Sequence, residues 1–289
     1  MTAHPPLAAF LKSRPPVLDR GPIAIILIED DAAVEETLRH HLGLGFRHIL
    51  ALSPDPVTLP PDLAGRITNL HWNARDAMAH QGAVNAVIAA VPAGTWLYYC
   101  YNAEFLFFPF SETRSVAELL AFHAEERRSA MLTYVIDLYS TNLTRDPNAV
   151  SLTEAMFDRA GYFALGRKGP DGQPLDRQLD FHGGLRWRFE EHVAPARRRI
   201  DRIALFRAAP GLHLEADHRF GIPEYNTYAC PWHNNLTAAI ASFRAAKALA
   251  TNPGSREAVG SFQWRNSERF QWNAQQLMDL GLMEPGQWF

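Results

Sequence analysis

The residues that most constrain the fold are Ile23-Ala24-Ile25-Ile26-Leu27-Ile28, a short apolar run rich in β-branched side chains that stops at Glu29-Asp30-Asp31. A run this short with no polar alternation predicts a strand buried on both faces, the situation of a strand inside a parallel sheet. Asp31 can cap a helix over 32–43, where Val34, Leu38, His41 and Leu42 recur at helical spacing and Gly43 or Gly45 can end it. Residues 48–52 then read as a second strand. Strand, helix, strand is a βαβ unit, which implies a parallel sheet with its functional loops at the carboxyl ends of the strands.

The rest of the chain continues the pattern. Residues 66–71 read as a weaker strand, 74–91 as a helix closed by Pro92 and Gly94, and 96–101 as a further strand with a short extended piece, 105–108, behind it. Ser115 followed three residues later by Glu118 is a capping box and starts a helix over 115–127. Strands are expected at 131–138 and 203–206, helices at 236–249 and 268–280. Between 142 and 184 the frequency of Asp, Gly, Pro and Arg predicts long loops. The expected class is α/β, with a mostly parallel central sheet flanked by helices in one large domain over 21–249. A Pro-rich arm, 1–20, precedes it, and a helical extension, 250–289, follows.

Composition narrows the function. A formal net charge of −3, from 28 basic and 31 acidic residues, gives no global attraction to nucleic acid or to an anionic membrane. The longest apolar runs, 23–28 and 96–101, are far shorter than the ~20 residues of a spanning helix. Residues 1–6 show neither a basic start nor an apolar core of a secretory signal. Two cysteines, Cys100 and Cys230, make no disulfide framework, and with His233 they lack the ligands of a zinc site. These features predict a soluble, cytoplasmic protein without nucleic-acid partners.

Several segments together carry a family resemblance. His40-His41-Leu42-Gly43-Leu44-Gly45-Phe46-Arg47-His48-Ile49-Leu50, then Gly94-Thr95-Trp96-Leu97 ahead of Glu104-Phe105-Leu106, then Gly183-Gly184-Leu185-Arg186-Trp187-Arg188, then Ile203-Ala204-Leu205-Phe206-Arg207 with His218 and His233, follow one another in order. This series resembles bacterial family 2 glycosyltransferases of the GT-A (Rossmann-like) fold. The opening Glu29-Asp30-Asp31 also resembles a phosphoacceptor receiver domain, but residues 69–73 offer no acidic acceptor and lysine stands only at 12, 168 and 247.

The resemblance implies a nucleotide-sugar donor lying across the strand ends and a glycan or other hydroxyl acceptor, with a non-catalytic binder of a glycan, nucleotide or protein as the alternative. The family's DxD aspartates fall on Tyr101 and Ala103, with Asn102 between them, so the standard metal site is lost. Mg²⁺ or Mn²⁺ bound in another way would rest on Glu104 and His233. Glu104 is otherwise a carboxylate satisfied by an arginine. Arg186 and Arg188, expected to alternate on an extended stretch, either grip a diphosphate or pair with Glu190 or Glu191. Arg197-Arg198-Arg199 and Arg202 read as a solvated run. Glu29, Asp30 and Asp55 are expected to meet the nucleoside or to act as cap and turn residues. His218, Asp137 and Glu104 are the candidate catalytic residues, and Trp264, Trp272, Trp288 and Phe289 pack internally or meet a partner.

Overall fold

The computed structural model describes residues 4–229 and 235–288. The chain is an α/β protein with a large mixed sheet, and it divides into two compact units. Met1–Asn102, Thr113–Met131 and Ile203–Asn226 make the first; Ala103–Glu112, Leu132–Arg202 and Thr227–Phe289 make the second.

In the first unit, helix α1 (Leu7–Lys12) leads to strand β1 (Ile23–Leu27), helix α2 (Val34–Gly43), β2 (His48–Ser53), β3 (Ile67–His71), α3 (Ala79–Ala90) and β4 (Trp96–Tyr101). β4, β1, β2 and β3 lie side by side and parallel, with Ile26 set between Ala51 and Cys100. Every residue of β1 is fully buried, as its unbroken apolar run requires. Helix α4 (Val116–Glu125) starts with the expected capping box: the Ser115 side chain accepts from the Glu118 amide while the Glu118 carboxylate accepts from the Ser115 amide. The last residues of β10 (Asp201–Arg207) run antiparallel to β4.

The second unit contains β5 (Glu104–Phe107), most of β6 (Ala130–Ser140), β7 (Ala155–Asp158), the hairpin β8 (Phe163–Lys168) and β9 (Pro174–His182), and helix α5 (Gly184–Arg188). β11 (Ala238–Ser242), α6 (Arg244–Thr251), β12 (Ser267–Arg269) and α7 (Ala274–Asp279) complete it. β11 pairs in parallel with β6 and antiparallel with β5, while β7 joins β6 to β12 through antiparallel pairs.

The structure departs from the sequence reading at identifiable places. The segment 236–249 is not one helix but β11 followed by α6, because Ala238-Ala239-Ile240-Ala241-Ser242 is buried between two strands, and that burial overrides alanine's helical preference. Residues 268–280 likewise divide into β12 and α7, with Asn273 capping the helix through the Gln276 amide. The supposed loop region 142–184 holds β7 and the hairpin β8–β9. Arg186 and Arg188 sit on the short helix α5 rather than on an extended stretch. Asp31 does not cap α2; Ala33, in the left-handed conformation, holds that position, and Asp30 Oδ1 accepts from the Ala32 amide at 3.0 Å. The late aromatics pack internally: Trp272 lies edge-on to Phe105 at 5.0 Å and Trp288 lies 6.3 Å from Phe108. Phe289 lies outside the described residues.

Candidate functional site

The carboxyl ends of β1 and β2 open onto a cleft of about 400 Å³ in the first unit. Its β1–α2 wall is held by Asn102, just after β4. The Asn102 side-chain carbonyl accepts from the Glu29 amide at 2.9 Å, and its amide donates to Asp30 Oδ1 at 2.7 Å, to the Asp30 carbonyl at 3.1 Å and to the Ala32 carbonyl at 2.9 Å. Arg75, beyond β3, donates from Nε to the Glu29 carbonyl at 2.8 Å and turns its guanidinium toward the same cleft. The β2 wall is a tight turn in which the Ser53 hydroxyl donates to the Asp55 carbonyl at 2.6 Å, while Asn69 donates to the Val57 carbonyl at 2.8 Å.

The lining includes Glu29, Asp30, Asp31, Glu35, Glu36 and Asp55 with Arg75 as its basic residue, the Glu35 carboxylate being paired with Arg39 Nε at 2.7 Å and Asp30 Oδ1 held by the Asn102 amide. A concave surface of one sign concentrates its field. Here that field opposes a pyrophosphate and supplies acceptors for hydroxyl or ammonium donors. Glu29, Asp30 and Asp55, expected at a nucleoside or as cap and turn residues, line this cleft, and Asn102, a candidate donor-binding residue, ties the loop that shapes it.

Residues 101–104 do not suit a divalent cation. Ala103 takes a positive φ of 57° and turns the chain into β5. Glu104 is fully buried: Arg202 Nη1 donates to Oε2 at 2.6 Å, Nη2 donates to Oε1 at 3.1 Å, and the Ser242 hydroxyl donates to Oε1 at 2.9 Å. A guanidinium on both oxygens leaves this carboxylate no face for Mg²⁺ or Mn²⁺. Among the described residues no group of three or more His, Cys, Asp and Glu side chains is placed to hold a metal, and His233 lies outside them. Arg202, read as solvated from its neighbours, is thus buried, and Arg199 bonds Asp180 at 2.9 Å. Strand β10 carries Arg202 into the interior, where Glu104 compensates its charge.

Asp137 stands in the same row. On neighbouring strands Glu104 faces Ser242 and Ser242 faces Asp137, so the three lie abreast across β5, β11 and β6. Burial pushes the Asp137 carboxyl up to about 6, against the pull of Arg186 and of backbone amides. Its Oδ2 accepts from the Leu185 amide at 3.1 Å, and its Oδ1 lies 3.6 Å from Arg186 Nε. Arg186 also donates to the Arg199 carbonyl at 2.9 Å, and burial lowers its pKa. Arg188 pairs with buried Asp158 at 3.0 Å, donates to the Phe262 carbonyl at 2.7 Å and stacks 4.6 Å over Trp264. Glu190, offered as a partner for this pair, bonds Arg198 at 3.0 Å. Both arginines expected to grip a diphosphate are therefore engaged inside the second unit.

His218, in the first unit, shares a 3.0 Å hydrogen bond between Nδ1 and the Tyr99 hydroxyl and stacks on His80 at 4.2 Å. Of the candidate residues, Glu29, Asp30, Asp55 and Asn102 meet at the cleft and His218 lies with Tyr99 and His80 in the first unit, while Glu104, Asp137 and Arg186 belong to the second. Arg75, Arg202 and Ser242 were not singled out as functional, because their partners are distant in sequence and no local spacing marks them.

The fold and this geometry define an α/β protein with a carboxylate-lined crevice at the ends of parallel strands. No family model matches the chain, and no curated protein is significantly similar to it. No helix among the described residues is long and apolar enough to cross a membrane.

Proposed function

We propose that the chain is a cytoplasmic, non-catalytic binder of a glycan on a GT-A-like scaffold, its cleft taking the hydroxyl-rich face of a sugar without a metal ion. The cleft carries this reading. About 400 Å³ suits a sugar unit or two, carboxylate oxygens accept hydrogen bonds from sugar hydroxyls, and the Arg75 guanidinium adds a donor for a ring or hydroxyl oxygen. The opposing charge of a pyrophosphate has only Arg75 to meet there.

A specific observation favours a second reading, sugar transfer from a nucleotide sugar. Burial raises the Asp137 carboxyl to about 6, the direction a general base needs, and an acceptor hydroxyl would have to reach it beside Arg186 in the second unit.

Calorimetric titration with neutral sugars, amino sugars, and UDP, GDP, CMP and their sugar conjugates, each with Mn²⁺ and with a chelator, tests both. Heat with free sugars, undiminished by the chelator and absent with the nucleotides, is expected. Tight nucleotide-sugar binding accompanied by sugar release or transfer would replace the first reading by the second.

A further inference from the structure

The hairpin β8–β9 of the second unit carries its apolar side chains on the outside. Phe163, Leu165, Leu175 and Trp187 are four of the five large apolar side chains exposed among the described residues, and all lie on this hairpin or on α5. Residues 163–166 are exposed on both faces of β8. β8 pairs with β9 alone, so among the described residues its outer edge meets no strand. Phe163 is held in place by His182, stacked at 5.2 Å, and by Trp187, edge-on at 6.2 Å. Arg167 turns inward to bond Asp180 at 2.7 Å and Asp201 at 2.8 Å, which leaves Lys168 as the one exposed charge of the strand. The margin of β9 away from β8 is occupied: the Ile200 amide donates to the Phe181 carbonyl at 2.8 Å, the Tyr228 amide to the Arg177 carbonyl at 3.1 Å, and the Phe181 amide to the Asp201 carboxylate at 2.9 Å.

An open apolar strand edge is a template for another strand, and folded chains usually blunt it with proline, charge or a cover. We propose that β8 is the dimerisation edge of this protein, pairing antiparallel with β8 of a second copy about a two-fold axis to form a four-stranded sheet. The strand is complementary to itself. Directly opposed residues point to the same side of a sheet and sides alternate along a strand, so a two-fold normal to the sheet opposes residues an even number of positions apart. The register centred on Ala164 then sets Phe163 opposite the partner's Leu165, Leu165 opposite the partner's Phe163, and the two Ala164 residues opposite each other. Each large apolar side chain of the strand meets another, and no like charges are opposed. Because the far margin of β9 is taken, association closes at two copies instead of growing into a fibre. An edge of six residues flanked by Trp187 covers less than the ~800 Å² per partner of a standard interface, so the dimer is reversible and depends on concentration.

Sedimentation velocity of the full chain from micromolar to millimolar concentration tests this, beside Leu165→Lys at the exposed centre of the patch. Two cysteine variants read the register without relying on that change. Ala164→Cys brings two thiols together across the axis, with Cα atoms about 4.5–5.5 Å apart and within disulfide reach, whereas Lys168→Cys sets them far apart. Expected are a monomer–dimer equilibrium for the unaltered chain, monomer throughout for Leu165→Lys with an unchanged circular dichroism spectrum, and a covalent dimer on mild oxidation of Ala164→Cys but not of Lys168→Cys. Monomer at every concentration would leave the edge to a strand of another protein and overturn the proposal. So would a dimer that survives Leu165→Lys, equal cross-linking of the two cysteine variants, or assembly beyond two copies.

Discussion

His123, on the buried face of α4, has no hydrogen-bond partner on either ring nitrogen and lies flat beside Trp96 with ring centroids 6.2 Å apart. Burial, with Arg128 nearby, pushes its pKa down to about 3. The folded value lies below that of an unfolded histidine, so His123's contribution to stability is complete above about pH 6.5 and is lost as pH falls toward the folded value. By about pH 4.5 the loss amounts to roughly 2–3 kcal/mol. His123→Phe keeps the ring against Trp96 and is expected to shrink the fall in melting temperature between neutral and acid pH, as a pH series of thermal scans would show. The buried Arg202–Glu104 pair gives a second prediction at this scale. Arg202→Met alone strands a buried carboxylate and costs about 3–5 kcal/mol, whereas Arg202→Met combined with Glu104→Leu costs less than either change alone in denaturant titrations. Single residues were legible where their partner is local, as with Ser115 and Glu118. They were illegible where the partner is a strand away: nothing near Glu104 announces Arg202, 98 positions later.

The elements divide along the same line. β1, β2 and β4 were legible because each is a short apolar run enclosed on both faces, and α4 because its start signal lies within four residues. β11 was not, since its alanines become strand residues only through their pairing with β5 and β6. Helix α5 misled for a related reason. Its five residues are too few to carry a period, and Asp137 on a distant strand accepts the Leu185 amide at its start. Ser115→Ala removes the side-chain half of the capping box and is expected to lower stability by about 1 kcal/mol, read from the midpoint of urea unfolding. A midpoint unmoved by that change would mean that the packing of Val116, Leu119 and Leu120 fixes the helix start by itself.

For the whole molecule the informative quantity is charge. A net −3 spread over 289 residues says little, but the cleft is lined by six acidic residues and one basic residue, Arg75. Five of these acidic residues lie within 29–36 and are visible in the sequence; what the linear reading misses is that Asp55, from the end of β2, and Arg75, from beyond β3, join them at one cleft. A neutral sugar bound there is expected to keep its affinity as salt is raised, while an amino sugar loses affinity through screening, and calorimetry at two ionic strengths separates them. A saturating ligand at about 100 times its dissociation constant should stabilise the fold by about 2.7 kcal/mol, visible as a rise in melting temperature.

The bonds made by Asn102 also set a direction on sequence change. An aspartate at position 102 would supply one of the oxygens that a cation site needs. It would also lose the three donations to Asp30 and Ala32 and set two carboxylates where a 2.7 Å hydrogen bond now runs. Glu104, two positions on, is held in turn by Arg202. A change at either position is therefore felt first as a loss of stability in the segment that follows β4.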